Sequence, residues 1–511
     1  MKRPRWPWTF DSGPAVGGLF TRLFALIWLS AWVSLAVQVR VLIGGRGLLP
    51  VSALMQAARN APGVTIFDLP TIFWRFHSDG LLVAGTMVGV ALAVAALLGW
   101  RTRTCFAIST VLYLSYATVG RDFLSFQWDN LLLECGLLAS FLPADRPAPL
   151  VHLLFRLVLF KLYFESGVAK WQSPSSDWQD GSAMTVYYET APLPTWIAYT
   201  AHHLPVVWHH LESRLTLLLE LAFPFLIFGP RRARLTAAVS FGFFQILNAA
   251  TANYGFFCYL AAILNVFLLD DVDVQRARDR AAPFVPPVVC KLIARLRAPI
   301  AGPATTPPGG PAKSPIGPWP GRIAAAIWIA VSLVDGLVEF TEPGRVLALA
   351  MPVFELNQRF RLVNTYHLFA SITRERIEPE FQVLPAGDPE KAADDAWTPL
   401  YMWHKPGDPR RAPDFVAPHQ PRVDFQLWFY GLSFQRREPS YVTALVERLC
   451  EDPAAVQPLF RAPLPPHPAA VRIVFWRYQF TSRAERRATG AWWRRTRVAS
   501  SRAIPCLDAA P

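Results

Sequence analysis

Apolar runs of the length that crosses a bilayer, about 20 residues, recur along the first two thirds of the chain and then cease. They fall at about Leu19–Val39, Leu81–Trp100, Thr104–Val119, Val151–Glu165 and Leu215–Phe228, with a mixed apolar helix between Gly120 and Pro143. A run over Leu235–Leu269 is too long for one helix and is interrupted by NAATANYG. That break predicts two spans joined by a tight turn near Asn253–Gly255. A last run covers Ile323–Val338, and the pattern as a whole predicts a mainly α, polytopic bundle of about eight to nine transmembrane helices. The basic, aromatic MKRPRWPW before the first run, with no small-residue cleavage site after it, predicts a retained helix entered from the cytoplasm. Counting from there puts the basic clusters Arg101–Arg103 and Gly229–Arg234 on the cytoplasmic side and the loop 166–213 outside it.

Beyond Pro343 the membrane pattern is gone. The strings VDFQLWFYGLSF and VRIVFWRYQF are aromatic and β-branched, alternate in part, and are bounded by Pro and Gly, which predicts a small extracytoplasmic β-rich domain. The expected organisation is a membrane domain over 1–270, a cytoplasmic Pro/Ala-rich linker over 271–320, a final helix over 321–340, the β-rich domain over 341–495 and a tail over 496–511. An amphipathic piece is expected near Val51–Arg59.

Composition agrees with this division: 52% of the 511 residues are hydrophobic and 17% charged, with a mean hydropathy of +0.25, above what a soluble domain carries. The formal charge of +13 would suggest nucleic acid in a soluble chain. Here the arginines flank apolar runs, where they set topology and meet lipid headgroups, so nucleic acid is not an expected partner. Cysteines 105, 135, 258, 290, 450 and 506 form no CxxC pair and no metal-like spacing with His, and are expected to be unpaired and structural.

Candidate chemistry concentrates where the helix ending near Glu165 gives way to the loop. Lys161, Glu165 and Lys170 sit on or beside an apolar helix, a costly placement that marks a functional or a pairing role. Lys161 and Glu165, four apart, can neutralise each other. Arg121, Asp122, Asp129 and Glu134 read as a helix-anchoring polar network within the membrane. The aromatic loop contributes Trp178, Tyr187, Tyr188 and Trp196, followed by His202 and His203. Those residues, with Trp428 and Phe429 of the β-rich region, are candidates for holding apolar segments of a client. No HExxH, phosphate-cradling glycine loop, nucleophile elbow or dinucleotide fingerprint is present, so no metal, cofactor or catalytic residue is expected from motifs.

Particular strings go further. FQWDNLLLECG (Phe126–Gly136), SDWQDGSAMTVYYETAPLPTWIAYTAHHLP (Ser176–Pro205), FPFLIFGPRR (Phe223–Arg232), NTYHLFASITRERIEPEFQV (Asn364–Val383) and HKPGDPRRAPDFVAPHQPRVDFQLWF (His404–Phe429) together resemble the lipase maturation factor family. The resemblance covers most of the chain from Arg121 to Phe429 and leaves out the linker 281–320 and the residues beyond Ala488. It implies a membrane-embedded, chaperone-like factor that assists maturation of secreted proteins, a lipase among its clients, resident in the endoplasmic reticulum membrane of animals. The membrane core is also similar to that of vitamin K-dependent carboxylases. That similarity implies the alternative of a membrane enzyme acting on a polypeptide or lipid, with Lys161, Glu165 or Lys170 in the catalytic role. Abundant Arg, Ala and Pro, scarce Lys and the lack of a KDEL-type terminus suggest a bacterial source and its inner membrane.

Overall fold

The computed structural model describes residues 13–143, 146–281, 283, 318–340 and 345–506, the side chains of 318 and 345–350 excepted. Helix α1 spans Pro14–Ala36, with proline at the start where its missing N–H costs nothing. Its orphan amides are capped from far along the chain: Asp271 accepts from the N–H groups of Gly13 (3.0 Å), Ala15 (3.1 Å) and Val16 (3.0 Å), an anion at a helix N-terminus. Phe20, Phe24, Trp28 and Trp32 recur every fourth residue, so they share one face. Successive ring centroids lie 5.2, 6.0 and 6.0 Å apart.

Short helices α2 (Val39–Ile43) and α3 (Val51–Asn60) precede α4 (Asp79–Leu97), which packs along α1. A side chain at Gly89 of α4 would run into the Trp32 ring, so only glycine permits this close helix approach. Then come α5 (Thr102–Val119), α6 (Gln127–Ala139) and α7 (Pro149–Trp171). Three short helices follow, α8 (Asp177–Asp180), α9 (Ala183–Thr190) and α10 (Trp196–His202), and the bundle resumes with α11 (Val206–Leu221), a 3₁₀ turn Phe223–Phe228, and α12 (Arg231–Thr251). The turn expected near Asn253–Gly255 is present, with Gly255 at φ +53°, and leads into α13 (Phe257–Leu264) and α14 (Asp271–Ala281).

Next come α15 (Pro318–Phe340) and α16 (Arg345–Phe360). Among the described residues three helices are long and apolar enough to cross a membrane: Pro14–Ala36, Asp79–Leu97 and Trp319–Phe340. Most of the linker expected over 271–320, Cys290 included, lies outside the described residues.

The C-terminal part covers one end of the bundle. Its antiparallel sheet runs β2 (Thr398–Leu400), β1 (Arg376–Leu384), β3 (Ala470–Phe480), β4 (Trp493–Ser500), with β5 (Ile504–Pro505) also on β3. Every residue of β1 is buried although RIEPEFQVL alternates polar and apolar, because both faces are covered. The helix α17 (Arg422–Leu432) packs on β1, while Glu378 meets Lys405 and Glu380 meets Arg495 (2.6 Å).

Three expectations change here. VDFQLWFYGLSF forms helix α17 rather than a strand, because Val423, Leu427, Tyr430 and Gly431 make one buried helical face while the run is too short to display its period. The tail expected from 496 is partly sheet, through β4 and β5. Cys450, at the end of α18 (Ser440–Glu451), is disulfide-bonded to Cys506, and the expectation of unpaired cysteines holds for the buried Cys105, Cys135 and Cys258.

Candidate functional site

The buried charges of the bundle converge on a strap of the C-terminal part, Arg361–Phe369, that dips between α6, α7 and α15. Non-helical backbone at such depth must have its polar groups met by protein, and the acidic side chains do this. Glu134 Oε2 accepts from the Asn364 amide (3.2 Å), the Asn364 side chain (3.3 Å) and the Tyr366 hydroxyl (2.5 Å). Glu165 Oε2 accepts from the Tyr366 amide at 2.9 Å. Lys161 supplies the positive charge: its Nζ lies 3.4 Å from Glu134 Oε1 and over the rings of Trp328 (5.2 Å) and Tyr366 (5.8 Å). The ion partner within hydrogen-bond reach is therefore Glu134, and the expected i,i+4 mate Glu165 is turned to the strap. Asp335, buried on α15, completes this cluster.

The four residues expected as one network divide. Asp129 takes a bidentate bond from Arg422 (2.8 and 2.9 Å) and another from the Tyr113 hydroxyl (2.6 Å), and Glu134 joins the strap. Arg121, at φ +43°, faces only the adjacent Asp122, which is exposed.

Lys170 lies nearer the covered end. Its Nζ reaches Glu220 Oε2 (2.8 Å), donates to the Leu368 carbonyl (2.7 Å) and sits 5.3 Å from the Trp178 ring centroid. Beside it is a cavity of about 330 Å³ lined by Lys170, Glu220, Trp178, Tyr187 and Tyr188, with Phe369 from the strap. The Tyr187 hydroxyl is 2.6 Å from that of Tyr254, Tyr188 donates to Glu212 (2.5 Å), and Trp178 donates to the Phe369 carbonyl (3.1 Å). All three loop aromatics are thus buried, at 2, 6 and 5% exposure, whereas Trp196 and Phe429 remain 51 and 43% exposed. Trp428 is half-buried and donates to the Thr190 carbonyl (2.9 Å).

The loop segment Glu189–Pro192 is where the C-terminal part grips the bundle. Arg376 donates to the carbonyls of Glu189 (3.1 Å), Ala191 and Pro192 (2.9 Å), and the Phe480 amide donates to Glu189 Oε2 (2.6 Å). Burial lifts the Glu189 carboxyl above the ordinary carboxylate range, against the Phe480 amide and Arg376, which draw it down. Burial also lowers the His202 imidazole to about 4, with His203 and His209 adding to the effect, so His202 is neutral near pH 7. His203 is half-buried and bonds through Nδ1 to the Tyr199 carbonyl (2.7 Å). Among the described residues no group of three or more His, Cys, Asp or Glu is placed to hold a metal.

Asn364, Tyr366, Arg422, Asp335, Glu220 and Gln245 were not singled out from the sequence. Asp335 and Glu220 carried a signal, each being a carboxylate in an apolar run; the rest become visible only once distant segments meet.

A helical bundle with buried ion pairs, gripped at one end by its own α+β domain, defines a multi-pass membrane protein with a C-terminal cap. The chain matches the lipase maturation factor transmembrane domain over residues 16–276 and the lipase maturation factor C-terminal domain over residues 362–503, and it belongs to the lipase maturation factor family. Its relatives include lipase maturation factor 2 of Gallus gallus, 30% identical over 94% of this chain and 80% of that protein. Lipase maturation factor 1 of Bos taurus is 30% identical over 93% of this chain and 86% of its own length. Lipase maturation factor 1 of Homo sapiens is 28% identical over 93% and 85%. No solved structure matches the chain.

Proposed function

We propose that this chain is a membrane-embedded maturation factor for secreted proteins, lipases among them, working from the face that carries the C-terminal domain. The relatives named lipase maturation factor support this reading because the match takes in both the bundle and the cap. The observation that carries it is a division of labour among aromatics. Trp178, Tyr187 and Tyr188 are spent on the interior, while Trp196 and Phe429 stay exposed on the covered end, where an apolar segment of a partly folded client can rest against them.

About eight to nine helices span the membrane, with the N-terminus and the linker 271–320 cytoplasmic and both the loop 166–213 and the residues after 341 outside. The basic residues Arg101–Arg103 and Arg231–Arg234 at the opposite end support this orientation. So does the disulfide Cys450–Cys506, a bond of oxidising compartments. The Arg-rich, Lys-poor composition favours a bacterial inner membrane with the cap in the periplasm; in a eukaryotic cell the equivalent site is the endoplasmic reticulum membrane. Lys161 and Lys170 act as fasteners here, each committed to a carboxylate and an aromatic face, and nothing in their geometry favours the carboxylase-like alternative.

The test is client yield. Trp196→Ala with Phe429→Ala lowers the activity of a co-expressed secreted lipase per unit of lipase protein, at unchanged abundance of the factor, while Lys161→Arg and Lys170→Arg leave it intact. Loss in the lysine variants alone, with none in the aromatic pair, overturns the folding reading in favour of catalysis.

A further inference from the structure

The cavity beside Lys170 has a second side. Its walls include Leu215 and Leu218 of α11 and Phe243 and Leu247 of α12, all four exposed on the outer surface of the bundle at 40–61%. That surface faces hydrocarbon when these helices span a bilayer, so the mouth between them opens sideways into lipid. Depth follows from the side chains that meet across the seam. Gln245 of α12 donates to the Tyr163 hydroxyl of α7 (3.0 Å), and Phe160 and Phe164 of α7 meet Phe225 at 5.4 Å. The cavity therefore occupies the half of the bundle nearer the C-terminal domain, with an apolar mouth and a polar inner end.

That inner end carries buried acceptors. Among the described residues lining the cavity, the buried side-chain atoms without a hydrogen-bond partner are Gln245 Oε1, Glu212 Oε2 and Glu220 Oε2, all acceptors; Glu220 Oε2 is already ion-paired with Lys170 and Glu212 Oε2 lies 3.6 Å from His209 Nδ1, which leaves Gln245 Oε1 as the unmet one. Gln245 is 3% exposed, and a buried amide oxygen left unmet calls for a partner. Two carboxylates, Glu212 and Glu220, against the one ammonium of Lys170 disfavour an anionic phosphate or carboxylate head by charge. A volume at the small end of the roughly 300–1,000 Å³ range of ligand pockets suits one apolar chain.

We propose that this cavity is a lateral lipid-binding site that takes one apolar chain of a neutral lipid whose head is a hydroxyl, the hydroxyl donating to Gln245 Oε1. The site stands apart from the client reading and rests on none of its residues' exposure. The roof is Trp178, Tyr187 and Phe369, and Phe369 holds φ +53°, an unusual backbone for an aromatic residue.

The experiment places the full-length chain in phosphatidylcholine nanodiscs containing a trace of photoactivatable lipid with the diazirine on the apolar part: diacylglycerol, phosphatidylglycerol, phosphatidylcholine or a sterol. Labelled peptides are mapped by mass spectrometry. Diacylglycerol labels 206–221 and 231–251 at least about fivefold more than phosphatidylcholine, the return on one satisfied hydrogen bond, and unlabelled diacylglycerol competes. Labelling by the sterol instead identifies the hydroxyl lipid as a sterol and supports the site equally. Leu219→Trp and, from the opposite wall, Ser240→Phe fill the space and abolish labelling, while Gln245→Leu removes the preference for the hydroxyl head and keeps chain labelling. Equal labelling by all four probes overturns the proposal. So does labelling that survives whichever filling variant retains wild-type abundance and thermal midpoint.

Discussion

Cutting the Arg422–Asp129 pair should release the C-terminal domain from the bundle. Both side chains are buried, at 1 and 0% exposure. Arg422 gives two bonds to Asp129 (2.8 and 2.9 Å), one to the Tyr113 hydroxyl (3.0 Å) and one to the Phe123 carbonyl (2.5 Å). Asp129→Ala strands the guanidinium and Arg422→Met strands the carboxylate. Two charge-assisted bonds at about 1.5–3 kcal/mol each, or equivalently one buried charge left unmatched, make either loss cost about 3–5 kcal/mol. The double variant removes both charges and leaves the Tyr113 hydroxyl and the Phe123 carbonyl as the polar groups that lose a partner, so it should cost less than the sum, with a coupling of about 3 kcal/mol. The assay is protease sensitivity of the C-terminal domain in detergent-solubilised full-length protein as temperature rises, with the bundle followed separately by tryptophan emission. Each single variant should free the domain well below the bundle transition, and the double variant should restore most of the difference. Additive single losses, or singles within 0.5 kcal/mol of wild type, would refute the view that this pair is a main joint between the two parts.

Lys161→Met leaves Glu134 without its cation and should cut steady-state abundance severalfold, whereas Arg46→Met breaks a pair in which Arg46 is 67% exposed and should leave abundance at the wild-type level; equal abundance of the two contradicts this. Cys450→Ser opens a loop of 56 residues and should destabilise the C-terminal domain by about 4 kcal/mol, an effect that reducing agent reproduces in wild type and not in the variant. Gly431→Ala drives a methyl group of α17 into the Ile377 carbonyl of β1 and should cost about 1–3 kcal/mol in the melting of that domain. Burial, with His404 and Arg422 adding, lowers His419 to about 4 from 6.5. The unfolded chain then binds more protons than the folded one, so stability falls as pH drops from about 6.5 towards 4, by up to about 3 kcal/mol. A thermal midpoint measured across that range should fall less steeply in His419→Gln.

What could be read from the residues was what is local. The break in Leu235–Leu269 appears as α12, a glycine at positive φ and α13, because a bilayer-length run and a turn each declare themselves within a few residues. The charges were located correctly in the helices but mispaired. Lys161 was matched with Glu165 because four residues is as far as a helix rule reaches, whereas Glu134 meets Tyr366 across 232 positions and Asp129 meets Arg422 across 293. Helix α17 was hidden by its own burial, since a segment of which nearly every residue is covered shows no period. The loop aromatics were hidden in the opposite sense: Trp178, Tyr187 and Tyr188 resemble an interfacial belt until α8–α10 fold them over α11.

The strap has a consequence for how the protein is made. The chain emerges from the ribosome N-terminus first at about 5–20 residues per second, so Glu134 and Glu165 enter the membrane long before Asn364 and Tyr366 exist to meet them. For that interval Lys161 is the one cation shared by Glu134 and Glu165, the oxygens that the strap's amides and Tyr366 hydroxyl will meet are still waiting, and the bundle stays open at the seam the strap will later close. Completion of the bundle is therefore timed by delivery of the last third of the chain to the end that it covers. A chain stopped before Arg361 would be left with an unfinished seam, visible to the proteases that survey the bilayer.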